Sequence, residues 1–125
     1  MESHADIDLV TSYIRQLPFL ETVEFAEVGM LSLPADMSIA PLRKHEPLEP
    51  LNTNLRKLTL RFEGRSKARD TAAVVQYLLM RLPNLTMFCV WDVSVQPVLD
   101  FARKYSRFYP HLKNAESVFR NQLHY

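Results

Sequence analysis

Three stretches of this chain repeat one spacing: a leucine followed, three and five positions later, by large apolar residues. They are Leu20, Val23 and Phe25; Leu55, Leu58 and Leu60; and Leu85, Phe88 and Val90. The two-residue step that closes each triplet is that of a strand with one buried face. Connections as long as those from Leu20 to Leu55 and from Leu55 to Leu85 can carry a helix, and the strands are expected to run parallel through right-handed crossovers. A unit of this size cannot bury its own apolar face, and recurrence at such a period marks stacked repeats. The spacing therefore predicts an α/β fold, with parallel strands on one side and helices on the other.

The segments between the triplets supply the helices. Ile7, Val10, Ile14 and Leu17 share one helical face over residues 6–17, with Ser3 and Asp6 as a capping pair and Pro18 as the stop. Residues 29–54 carry Gly29 and four of the eight prolines (Pro34, Pro41, Pro47, Pro50), which predicts an irregular connection with one helical turn near Asp36–Ala40. After the second strand, Gly64–Lys67 turns the chain and Asp70 or Thr71 caps a helix whose stripe is Val74, Val75, Leu78, Leu79 and Leu82. Ser94 caps a further helix with Pro97 in its first turn and Val98, Phe101, Ala102, Tyr105 and Phe108 inward, ended by Pro110. Leu112, in register with Leu20, Leu55 and Leu85, opens a degenerate fourth copy over Leu112–Ser117. The stretch 112–125 reads equally as a strand, a short helical cap or a frayed end.

The phrases LPFLETVEF, NTNLRKLTLRF and LPNLTMFCV resemble leucine-rich repeats of the long type, and most of all those of fungal F-box substrate receptors. The resemblance covers roughly residues 6–119. It implies a single domain, 1–125, forming a short right-handed solenoid with repeats near 6–28, 51–62, 70–93 and 95–119. It further implies a non-catalytic interaction scaffold, with substrate recognition for ubiquitin transfer as the specific role. One departure stands out. The asparagine that usually follows the strand is missing, Val28, Glu63 and Val93 occupying that region, so the hydrogen bonds of an asparagine ladder must come from elsewhere. Leu33–Met37 is not an F-box, because Pro41 interrupts the helix that would have to follow.

Composition narrows the remaining choices. The 125 residues carry a formal charge of +1, yet residues 1–50 sum to −6 and the remainder to +7, which suggests opposed ends or faces. Two glycines cannot build a phosphate-binding loop, so no nucleotide cofactor is expected. His4, His45, His111 and His124 are too scattered for a metal pair, and Cys89 lacks the flanking residues of a nucleophile; catalysis and metal binding are not expected. A lone cysteine cannot form an internal disulfide, which fits cytoplasm or nucleus, and no leader or membrane-spanning run of ~20 apolar residues is visible. Neither end carries an obvious capping repeat, which reads as a piece of a longer array.

Alternation along the strands selects the contact surface. If Val23 and Phe25 face the core, then Thr22, Glu24 and Ala26 face out, followed by Lys57, Thr59 and Arg61, and then Met87, Cys89 and Trp91. Lys57 should lie beside Met87, and Arg61 beside Trp91. Such a Met–Cys–Trp row flanked by cations has the composition of a protein-binding hot spot, so Lys57, Thr59, Arg61, Met87, Cys89 and Trp91 are the candidate partner-binding residues. The counter-reading buries Trp91 under a neighbouring repeat or the Pro-rich loop. Arg56, Lys57, Arg61, Arg65, Lys67 and Arg69 form the densest basic run, without the motif of a nucleic-acid module. A second class of function also fits these residues: a self-contained α/β domain that associates through its open sheet edges.

Overall fold

The computed structural model describes residues 5–29, 49–62, 68–91, 93 and 95–122. A two-residue strand, β1 (Ala5–Asp6), leads into α1 (Ile7–Gln16), and β2 (Thr22–Gly29) follows. Beyond the long connection come β3 (Lys57–Phe62), α2 (Ala68–Arg81), β4 (Met87–Trp91) and α3 (Val95–Tyr105). A 3-10 segment (Pro110–Asn114) runs into the single turn α4 (Ala115–Val118), and β5 (Phe119–Gln122) ends the described chain. Most of the Pro-rich connection, the turn after β3, and the expected caps Ser3 and Ser94 lie outside the described residues. Asp70 and Thr71 lie inside α2, which already begins at Ala68, and not at the position before it.

The five described strands form one sheet in the order β1-β2-β3-β4-β5, every neighbouring pair parallel. The register joins Val23 to Leu58 and Phe88, and Phe25 to Leu60 and Val90, so the three triplets lie side by side. Those residues meet Ile7, Val10 and Ile14 of α1, Val74, Val75 and Leu78 of α2, and Val98 and Ala102 of α3 in one buried cluster. The described helices thus pack against one face of the sheet.

Three features depart from the expected pattern. The fourth strand is not Leu112–Ser117: those residues are helical, and β5 instead pairs Phe119 with Phe88. The turn keeps its place, since Leu112 N–H donates to Tyr109 O as Leu85 N–H does to Leu82 O, but α4 inserts four residues before the strand. Ala115 is too small to be a strand's core residue and is used to let that turn pack closely; Phe119 fills the site instead, edge-on to Phe88 at 6.3 Å.

The second departure is a β-bulge in β2. Phe25 pairs with Leu60 and Val28 with Phe62, leaving Ala26 and Glu27 together opposite Arg61. The extra residue reverses the alternation, which is why Val28 is fully buried instead of lying past the strand. Its neighbour Gly29 pairs with Asp6 of β1, and Asp6 is also the N-cap of α1, its side chain accepting from Asp8 N–H at 3.4 Å.

The third concerns the asparagine ladder. Its work is done ahead of the strands, in the turns. Asn54 Nδ2 donates to Pro18 O at 2.7 Å, and Asn84 Nδ2, one unit on, donates to Thr53 O at 2.6 Å. Backbone bonds repeat in step: Arg56 and Lys57 N–H both reach Glu21 O, and Thr86 and Met87 N–H both reach Arg56 O. Asn52 completes the middle turn. Its Oδ1 accepts from Asn54 N–H (2.7 Å) and Leu55 N–H (3.0 Å), replacing the backbone carbonyl used in the turns on either side. Its Nδ2 donates to Ile14 O and Leu17 O at the end of α1. Pro18 has no N–H to offer Ile14 O as the helical i+4 donor, so Asn52 supplies one from far along the chain.

Candidate interaction surface

Each strand presents its second set of residues on the face away from the helices. Strand register sets them in rows: Thr22, Lys57 and Met87 in the first; Glu24, Thr59, Cys89 and Arg120 in the second. One step further stand the Ala26–Glu27 bulge, Arg61 and Trp91. Lys57, Arg61 and Met87 are exposed, Met87 to 39 %, while Thr59, Cys89 and Trp91 are half-buried. The structure therefore places all six candidate residues on one face, with Lys57 beside Met87 and Thr59 beside Cys89.

Arg120 is the residue that sequence reasoning missed. It belongs to a strand expected to open at Leu112 that in fact opens at Phe119, and only the pairing of Cys89 with Arg120 puts it on this face. The signal available was Phe119 itself, the first aromatic residue after Leu112 and the counterpart of Phe88. With Arg120 included, charge changes sign across the sheet. Glu24 and Glu27 lie on β2 and are exposed, whereas Lys57, Arg61 and Arg120 lie on β3 and β5. Of the basic run, Arg56 is exposed just before β3 and Lys57 and Arg61 are on the open face, while Arg65 and Lys67 lie outside the described residues.

A second concavity lies at the strand entrances. The four residues inserted by α4 part the fourth turn from the third and open a cleft of about 340 Å³, lined among others by Leu82, Pro83, Thr86, His111, Asn114 and Val118. Three of its polar side chains are spent on the backbone. Thr86 Oγ1 donates to Arg56 O, Ser117 Oγ to Asn114 O, and His111 Nε2 to Leu79 O at 2.9 Å. His111 occupies the ladder position of Asn54 and Asn84 but reaches back to α2, so the ladder ends at this unit.

Two buried polar groups prove to be architectural. Arg81 closes α2 at 6 % exposure, its Nε donating to Glu49 O (2.9 Å) and its Nη1 to Tyr77 Oη (2.7 Å), while Leu51 N–H donates to Arg81 O. Asn52, at 4 % exposure, does the turn-closing work described above. Among the described residues no buried side-chain nitrogen or oxygen lacks a partner, and no group of three His, Cys, Asp or Glu is placed to hold a metal. No helix among them is long and apolar enough to cross a membrane. Comparison with protein-family models, curated proteins and solved structures returned no match.

Proposed function

We propose that this chain is a non-catalytic protein-interaction scaffold of the leucine-rich-repeat kind, reading a partner with the open face of its sheet. The observation that supports the reading is the stacking of units along one axis, strand beside strand in sequence order, with described helices on one face only. The other face then carries Met87 and Trp91 among cations, the residue types that dominate binding energy at protein interfaces. Substrate recognition for an F-box-type ubiquitin ligase is the specific role, and it rests on the resemblance of the three repeat phrases.

The test is affinity capture from cells with three proteins: wild type, a Lys57→Glu/Trp91→Ala face variant, and a control changed on the exposed side of α3 at Arg103 and Lys104. The reading expects a defined set of proteins, including a ubiquitin-ligase adaptor, lost with the face variant and kept by the control. Recovery of the same set with all three proteins would remove the scaffold assignment. Loss of binding without any adaptor in the set would remove the ligase role alone.

A second reading has its own support. β5 pairs with β4 along one side and is the outermost of the described strands, and a short edge of this kind can add a strand from a second chain. A dimer that persists on dilution, measured by light scattering, favours that oligomer-forming role over the scaffold.

A further inference from the structure

We infer that what the open face receives is a short, extended acidic segment with an apolar residue between two carboxylates, laid diagonally across β3, β4 and β5. The inference rests on the scaffold reading and names the chemistry of its partner.

Size comes first. From β2 to β5 the face spans three strand spacings, about 14 Å, and a strand of about five residues runs about 16 Å, so its area is on the order of 250 Å². A folded partner in a stable complex typically contributes about 800 Å². The face matches a strand-like peptide of a few residues far better than a globular surface.

Charge then sets the sign. Lys57 and Arg120 are exposed and sit on either side of β4, with Met87 and Cys89 between them. Arg61 adds a third cation on β3, whatever else it contacts. On β2, Glu24 and Glu27 repel an anion and confine it to the β3–β5 half of the sheet.

Spacing gives the pattern. Lys57 and Arg120 are two strands apart and one row apart, which places their backbones about 12 Å from each other. In an extended chain, residues i, i+2 and i+4 share one face, and i to i+4 spans about 13 Å. A segment with carboxylates at i and i+4 and an apolar side chain at i+2 therefore sets its acids over Lys57 and Arg120 and its apolar group over Met87 and Cys89.

The probe is a capped ten-residue peptide with Glu at its third and seventh positions, Phe at its fifth, and Ser and Gly elsewhere. Its binding is followed by amide chemical shifts and by the emission of Trp91, the single tryptophan of the chain. Companion probes replace both Glu by Lys or by Gln, and a single-stranded oligonucleotide of equal length serves as the other anion. The expected result is shifts confined to β3–β5 and an affinity several-fold tighter for the Glu probe than for the Gln probe. Lys57→Glu or Arg120→Glu should each weaken the Glu probe at least fivefold, and the double reversal should prefer the Lys probe. Both side chains are exposed, so thermal melts of the variants should match wild type.

Equal or tighter binding of the Lys or Gln probe on the same residues overturns the acidic chemistry and leaves the scaffold reading to its own capture experiment. Tighter binding of the oligonucleotide there also overturns it, in favour of a nucleic-acid surface. Shifts elsewhere, or no shifts with any probe, overturn the placement.

Discussion

Replacing Asn52 by alanine tests the claim that one buried amide joins two successive units. The side chain makes four hydrogen bonds: two accepted from Asn54 and Leu55 N–H, and two donated to Ile14 and Leu17 carbonyls. Two of the four are buried, the bond to Ile14 O and that from Leu55 N–H. Neither group has an evident substitute, since Pro18 denies Ile14 O its helical donor and Leu55 N–H loses the oxygen that closes its turn. A buried polar group left unpaired costs roughly 1–3 kcal/mol, so Asn52→Ala should destabilise by about 4 kcal/mol. At an m-value of ~2 kcal/mol/M in urea the midpoint falls by about 2 M. Asn84→Ala is the matched control. It removes a single exposed bond to Thr53 O and should cost about 1 kcal/mol. Urea unfolding followed by circular dichroism measures both. If Asn52→Ala costs no more than Asn84→Ala, water or a shifted backbone satisfies the turn, and the argument that Asn52 replaces a missing main-chain bond fails.

The other predictions concern different parts of the sheet and its helices. Tyr77→Phe should cost about 1–2 kcal/mol in the same urea assay, because Arg81 Nη1 loses a buried acceptor at 2.7 Å; a neutral outcome would mean the guanidinium readily finds another. Trp91→Ala, at a half-buried site, should cost less than about 2 kcal/mol, whereas Phe88→Ala, at 0 % exposure, should cost about 3–5 kcal/mol; comparable values would place Trp91 in the core. Deleting Glu27 leaves Ala26 alone opposite Arg61 and Val28 still inward opposite Phe62, so β2 regains plain alternation and the melting temperature should stay within ~4 °C of wild type, a change of no more than about 1 kcal/mol. A much larger fall would show that the bulge itself, and not only the inward placing of Val28, holds β2 in the sheet.

The repeating unit is set by its turns as much as by its strands. Across the first three units, turn and strand advance in step, because Asn54 and Asn84 tie each turn to the one before. At the fourth unit they part. The turn residue answering Leu85 is Leu112, but the strand residue answering Phe88 is Phe119, farther along the chain than the turn alone would put it. The difference is taken up by α4, and the 340 Å³ cleft is its consequence.

The places of β2, β3 and β4, their parallel direction and the inner and outer faces of β3 and β4 were legible in the sequence. They follow from alternation and from connection length, both local properties of a chain that must bury one face of each strand. The helix faces were legible for the same reason: Ile7, Val10 and Ile14 are buried at helical spacing. What only the folded chain decided were the exceptions to alternation and the long-range polar bonds. A bulge at Ala26–Glu27 has no composition of its own, since it exists only relative to the Arg61 it opposes. Asn52 looks like any loop asparagine until Pro18 is seen to leave a carbonyl without its donor. Arg120 reaches the open face because Phe119, not Ala115, fills the space beside Phe88. Periodicity records which side of an element is apolar, but which residue meets which across the sheet depends on volumes and hydrogen bonds that neighbouring units supply only once they are packed.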